Sequence, residues 1–213
     1  MIRSKQELRF YIAADRIMRG LPARRNPIQW LREAVVRDNI ARYLRSMRIL
    51  CYYECGKQNR GGGLRYIYHK LRFRRLGERL GFTIGTQCFG YGLVIPHYGT
   101  IVVNGGVRAG NFCVLHTSTC IAGSGKTIGD GLYLSAGSVR TGTWTMGDHV
   151  TVAAHSLVND RAEGACGVLL AGSPAQAKRP SPPWWERDHF TARVEEVERL
   201  KRHMLDCTEG ANP

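Results

Sequence analysis

The chain has 213 residues, of which 43% are hydrophobic and 23% charged, and its formal net charge is +14. That length allows one or two domains with a sizeable core, so no disulfide scaffold is required. The cysteines (Cys51, Cys55, Cys88, Cys113, Cys120, Cys166 and Cys207) are odd in number, scattered and without a CxxC pair, which argues against a zinc site or a disulfide framework. They read as core thiols of a protein in a reducing cytoplasm. The opening Met1-Ile-Arg-Ser-Lys-Gln-Glu7 lacks the apolar stretch of a signal peptide, and no run is long enough to span a membrane.

Ser4-Lys-Gln-Glu7 is a capping-box pattern, and Leu8, Tyr11, Ile12 and Ile17 follow it at helical spacing until Gly20 and Pro22. Asn26-Pro27 supplies an N-cap and a first-turn proline for a longer helix through Trp30, Leu31, Val35, Ile40, Leu44 and Ile49, stopping near Gly56. Gly61-Gly62-Gly63 reads as a flexible joint. A third helix is predicted from Leu64 to about Leu80, with Ile67, Leu71 and Leu76 on one side. Residues 1–79 hold 20 Lys/Arg against 6 Asp/Glu, whereas residues 80–213 hold 11 of each. A basic α-helical domain is therefore expected over residues 1–80. Its charge would suit nucleic acid, an anionic membrane or an acidic metabolite, but no nucleic-acid motif accompanies it. The expectation is a solvated face without a nucleic-acid partner.

From Ile84 to Val158 an apolar-first unit returns about every six residues. Val103-Asn-Gly-Gly-Val107-Arg leads into units headed by Ala109, Leu115 and Ile121. After a one-residue slip the series resumes at Ile128-Gly-Asp-Gly-Leu132-Tyr and continues through Leu134, Arg140, Met146, Val152 and Val158. Most units carry a second small or aliphatic residue four positions in, and Arg140 is the one poor lead. Period six fits neither a helix nor a hairpin sheet. It fits a parallel β-helix in which each hexad is a short strand plus a corner, so this tract supplies roughly four to five three-hexad coils. Residues 81–172 also hold 18 of the 25 glycines, a density that suits tight corners. The predicted fold is a left-handed parallel β-helix (hexapeptide repeat) over 81–180, its hand being a known exception to the right-handed crossover preference. Residues 181–213 should hold a C-terminal helix, with Val194, Val197, Leu200 and Met204 on one face, which caps the last coil or packs on a neighbouring subunit. Gly210 to Pro213 should fray.

Gly92-Leu-Val-Ile-Pro-His97-Tyr-Gly-Thr-Ile-Val-Val-Asn104, followed by the hexads and ending in Ala171-Gly-Ser-Pro-Ala175, resembles the serine acetyltransferase family of hexapeptide-repeat acyltransferases. The opening Lys5-Gln-Glu-Leu-Arg-Phe-Tyr-Ile-Ala-Ala-Asp15-Arg is similar to the first helix of a branch often sited among polysaccharide genes. The resemblance implies an acetyl-CoA-dependent O-acetyltransferase that needs no metal, with direct transfer in a ternary complex. His97 would be the general base, its imidazole taking the acceptor hydroxyl's proton as that oxygen attacks the thioester. Backbone N–H groups at the glycine corners would meet the oxyanion. His116 is a second, supporting candidate, whereas His149 and His155 read as structural.

For coenzyme A the resemblance points to the later coils. Ser135-Ala136-Gly137 and Ala153-Ala154 are small enough for a pantetheine arm, and Lys178, Arg179 and Lys126 are candidates for its phosphates. Gly123-Ser124-Gly-Lys126 is what remains of a longer basic loop in the family. The cleft would form between subunits of a trimer, or of a dimer of trimers joined through the helical domain. The sequence departs from the family where two acidic residues are expected, at Phe82 and Pro96, and it has no Asp or Glu from 79 through 129. Two other readings therefore stand beside serine acetylation: O-acetylation of a sugar, polysaccharide precursor or other hydroxylated metabolite, and an inactive β-helix scaffold that binds an anionic partner.

Overall fold

The computed structural model describes residues 1–24, 26, 27, 31, 35–55, 63–123, 127–142, 145–162 and 164–205. Helix α1, Lys5–Met18, starts in the capping box: the Glu7 N–H donates to the Ser4 hydroxyl, and the Glu7 carboxylate accepts from the Ser4 N–H. The single helix expected from Pro27 to Gly56 does not run unbroken. Much of its first half lies outside the described residues, residues 36–38 are not helical, and helix α2 spans Asn39–Cys55. The physical cause is Asp38, which accepts the Ala41 N–H at 2.9 Å as an N-cap while Arg19 holds its carboxylate at 2.7 Å. Helix α3, Leu64–Leu80, ends on Gly81 in the left-handed region (φ 79°), where a Cβ would press on the Gly99 carbonyl. Gly61, Gly62 and residues 210–213 lie outside the described residues.

Ten short strands then wind a parallel β-helix of about four turns: β1 (Phe82–Ile84), β2 (Ile101–Val103), β3 (Arg108–Ala109), β4 (Val114–Leu115), β5 (Thr119–Ile121), β6 (Thr127–Ile128), β7 (Tyr133–Leu134), β8 (Val139–Arg140), β9 (Thr151–Val152) and β10 (Leu157–Val158). The first sheet runs β1-β2-β5-β8-β10, the second pairs β3 with β6, and the third runs β4-β7-β9 and on to β11 (Val168–Gly172). Ile101 pairs with Thr119, 18 residues on, and Val114 with Tyr133, 19 on, so three hexads make one coil and the corners absorb the slips.

The hexad leads Val103, Leu115, Ile121, Ile128, Leu134, Met146, Val152 and Val158 all point inward and are buried, as are the second positions Val107, Cys113, Leu132 and Val150. Each such side chain is worth about 1.5–3 kcal/mol of burial. Arg140 keeps the inward register between Ile121 and Val158, fully buried, with Nε donating to Met146 Sδ at 3.1 Å. Burial pulls its guanidinium down to about 10. Cys51, Cys88 and Cys113 are buried, but Cys55 and Cys120 are only partly so. Cys166 is exposed, contrary to the core reading, because it lies on a corner beside Gly147 and outside the strands. Cys207 lies outside the described residues.

One corner is stitched by side chains. Asn111 accepts the Tyr91 N–H at 3.2 Å, Asp130 the Asn111 N–H at 2.7 Å, and Asp148 the Asp130 N–H at 2.7 Å. The glycines preceding them leave the room: a Cβ on Gly110 would strike the Asp130 carboxylate, and one on Gly129 that of Asp148.

The helical domain is joined to the first coil by a buried ion pair. Arg48 Nε meets Asp15 Oδ2 at 2.8 Å; Arg48 also donates to the Phe89 and Gly90 carbonyls, and Asp15 accepts the Leu93 N–H. Burial opposes the Arg48 charge, and Asp15 more than offsets it.

At the far end β11 turns back into β12 (Ala175–Pro180), which pairs with it antiparallel. Helix α4 (Trp184–Arg187) and helix α5 (Thr191–Met204) follow. Helix α5 does not cap the last coil. Val197, Val194 and Leu200 pack with Phe10, Ala14 and Ile17 of α1 and with Tyr91 and Phe112 of the coils, because this apolar face matches the outer surface of the third sheet. Among the described residues no helix is long and apolar enough to cross a membrane.

Candidate active site

Three corners separate the three sheets, and the one that follows the third sheet carries most of the predicted residues. His97 lies there on the first coil and His116 on the second, just past β4. The His116 N–H donates to Leu134 O at 3.0 Å, and Ser135 N–H to Val152 O at 3.0 Å, so His116 and Ser135 stand in one column. Gly137 N–H donates to Thr117 O and His155 N–H to Ala136 O, each at 3.0 Å, which continues the corner through Ala136, Gly137 and Ala154. The loop bearing His97 is held from the helical domain: Arg19 Nη1, at the end of α1, donates to Ile95 O at 2.9 Å.

His97 is exposed, and among the described residues no hydrogen bond forms to its ring. The His116 ring lies 6.5 Å away, tilted by 48°. His116 Nε2 shares a 2.8 Å hydrogen bond with Tyr133 Oη. Burial, with His97 adding to it, pushes the His116 imidazole below its ordinary value, and burial pushes the Tyr133 phenol up. Both groups are thus neutral near pH 7, and the bond orients the ring without charge. Arg187 lies 4.5 Å over the Tyr133 ring and is paired with Asp188 at 2.7 Å. Trp184 Nε1 fixes this segment by donating to Phe112 O at 2.7 Å.

The remaining predicted residues are dispersed. Gly137 (φ 71°) leaves space that the His155 ring occupies. Lys178 and Arg179 are exposed on β12, with Arg179 opposite Leu169 at the end of the third sheet. Gly123 sits at the corner after the first sheet, so the single chain does not bring it to His97; Ser124 and Lys126 lie outside the described residues. Phe82 and Pro96 stand where the resemblance expects two acids, and among the described residues Asp188 enters this neighbourhood, through Tyr133 and Arg187. Tyr133, Arg187 and Asp188 escaped the sequence reading because an outward position in a two-residue strand and the end of a four-residue helix carry no periodic signal. A separate cavity of about 600 Å³ lies between the N-terminal helices and α5, among Arg9, Arg16, Arg19 and Leu200, and none of its described lining residues belongs to the β-helix.

The architecture has solved counterparts. A Neisseria gonorrhoeae serine acetyltransferase matches with a TM-score of 0.62 and 19% identity, over 87% of this chain and 72% of that one. Soybean serine acetyltransferase matches with a TM-score of 0.60 and 20% identity, over 81% and 69%. This chain has the serine acetyltransferase fold. A serine acetyltransferase solved in complex with CoA shares that fold at a TM-score of 0.58 and 20% identity, over 78% and 68%. No family model matches the sequence, and no curated protein matches it.

Proposed function

We propose that the protein is an acetyl-CoA-dependent O-acetyltransferase of the serine acetyltransferase type. The observation that carries this reading is the pair His97 and His116 on consecutive coils of one corner, continued by Ser135, Ala136 and Ala154 on the next two. That column is narrow enough at its small residues for an extended thioester arm and ends in two bases where an acceptor hydroxyl would arrive. His97 removes the hydroxyl proton, the oxygen attacks the acetyl carbonyl, and the thiolate of coenzyme A leaves as the C–S bond breaks. His116, held by Tyr133, orients the acceptor. Lys178 and Arg179 meet the phosphates at the end of the third sheet. The cleft is completed by a second subunit of a trimer, which is where Gly123 and Lys126 would contribute.

The structural counterparts include one solved with CoA, one with cysteine and one with serine, which favours serine as the acceptor. A sugar or another hydroxylated metabolite is the second reading, favoured by the exposed His97 without a carboxylate partner among the described residues. The test is release of free coenzyme A from acetyl-CoA with L-serine and with a panel of sugars and hydroxylated amino acids. His97→Ala should lower turnover on the order of 10²–10⁴-fold while coenzyme A still binds. Undiminished turnover in that variant would remove the base assignment, and full activity in a monomer sized by light scattering would defeat the trimer.

A further inference from the structure

Helix α3 is apolar on two opposite faces. At about 100° per residue, Phe73, Leu76, Gly77 and Leu80 fall together and face the protein: Leu76, Gly77 and Leu80 are buried, and Phe73 stacks on Tyr43 with centroids 4.6 Å apart. Leu64, Ile67, Tyr68 and Leu71 fall on the opposite side, within an arc of roughly 100°. They are 87%, 48%, 56% and 50% exposed, and among the described residues no packing calls for apolar side chains there. This outward stripe is bordered by cations on both edges. Arg65, Arg72 and Arg79 line one edge, Lys70 and Arg74 the other, and exposed Arg75 continues the stripe at its C-terminal end.

The acid on this helix is Glu78, and Arg74 already engages it at 2.8 Å. The adjoining start of α2 adds more cations. Burial, together with the neighbouring Arg72, Arg37 and Arg79 guanidiniums, pushes Arg42 below its ordinary value. Asp38, the carboxylate close to that cluster in sequence, is bound to Arg19.

We infer that the outward face of α3 lies in the headgroup region of an anionic lipid bilayer, with Leu64, Ile67, Tyr68 and Leu71 in the acyl boundary and the flanking arginines and lysine on lipid phosphates. An apolar stripe between basic borders is the pattern of a helix that rests on a membrane surface. Charge selects this occupant over the others. A second copy meeting this face across a two-fold axis would set the same cationic borders against its own, and a nucleic acid would meet aliphatic side chains along the line where it needs stacking or hydrogen-bonding groups. The inference is independent of the reaction at His97. It adds that the enzyme would work at a membrane, on an acceptor or beside a partner held there.

The experiment is co-sedimentation of the full chain with vesicles of phosphatidylcholine alone and with vesicles that also contain phosphatidylglycerol. Binding is expected only to the second, weakening as salt rises. The triple variant Leu64→Ser, Ile67→Ser, Leu71→Ser should lose that binding while keeping its melting transition and its mass by light scattering, because all three side chains are exposed. Lys70→Gln with Arg75→Gln, which removes only charge, should lower partitioning about five-fold per residue, and it serves as the test should the serine variant fail to fold. Failure of the native chain to sediment with phosphatidylglycerol vesicles at low salt overturns the inference. So does binding that survives both variants, a fall in mass in the serine variant without any vesicle binding, or preferential binding to nucleic acid in competition.

Discussion

Tyr133 joins His116 to a neighbouring pair far along the chain: it bonds His116 at 2.8 Å, lies under Arg187, and through Arg187 is linked to Asp188. Tyr133→Phe removes one neutral hydrogen bond and little volume, so turnover should fall about three- to ten-fold with coenzyme A affinity unchanged, as steady-state kinetics would read. The depressed His116 value also has a pH consequence. Between that value and about 6.5 the unfolded chain binds the proton and the folded chain does not, so stability should rise with pH across this window and be flat above it. His69 shares the direction, also through burial, so denaturant titrations of His116→Gln should show a shallower slope rather than none. His97 entered as a candidate through the resemblance of the segment from Gly92 to Asn104 to the serine acetyltransferase family, since its own spacing carries no signal. Its neighbours did not, because Asp188 and Arg187 reach the corner through a three-dimensional path set by the Trp184 bond to Phe112.

At the scale of elements, the β-helix was legible almost residue by residue, since a six-residue period gives each successive strand the same side-chain direction. Even Arg140, the lead that breaks the pattern chemically, keeps the register, because turning it outward would displace its neighbours to the wrong face. The sequence does not advertise why Asn111, Asp130 and Asp148 follow glycines. The structure gives the reason as a ladder of backbone N–H acceptors running along the corner. Asp130→Ala leaves the Asn111 N–H without its acceptor and should cost about 1–3 kcal/mol in denaturant unfolding. An equal loss with Asp130→Asn, which keeps an acceptor oxygen, would count against the ladder. The α2 boundary was missed for a comparable reason: helical periodicity continues through residues 36–38, and the break follows from a capping aspartate held by Arg19 on another helix.

At the scale of the molecule, the Asp15–Arg48 pair unites the helical domain with the coils by taking up backbone groups at Phe89, Gly90 and Leu93. Removing one partner strands a buried charge, so Asp15→Ala should lose about 3–5 kcal/mol of stability in chemical denaturation. Because Arg19 and Asp15 both hold the segment leading to His97, the basic helices act as a mount for the loop that bears His97 as well as a charged surface. The direction of α5 was open in the sequence because its apolar face fits either a coil end or a flat sheet. The α1 face and the Trp184 anchor select the sheet.

A stack of identical coils has no intrinsic length, since the last coil offers the next one the same unpaired backbone that it received. In this chain the run is closed at both ends by elements that cannot be continued. Helix α3 meets β1 at one end, and at the other β12 runs antiparallel to β11 and lies beside β10. A strand that reverses direction is a poor template for parallel growth, so the hairpin that presents Lys178 and Arg179 also keeps separate molecules from joining end to end into filaments.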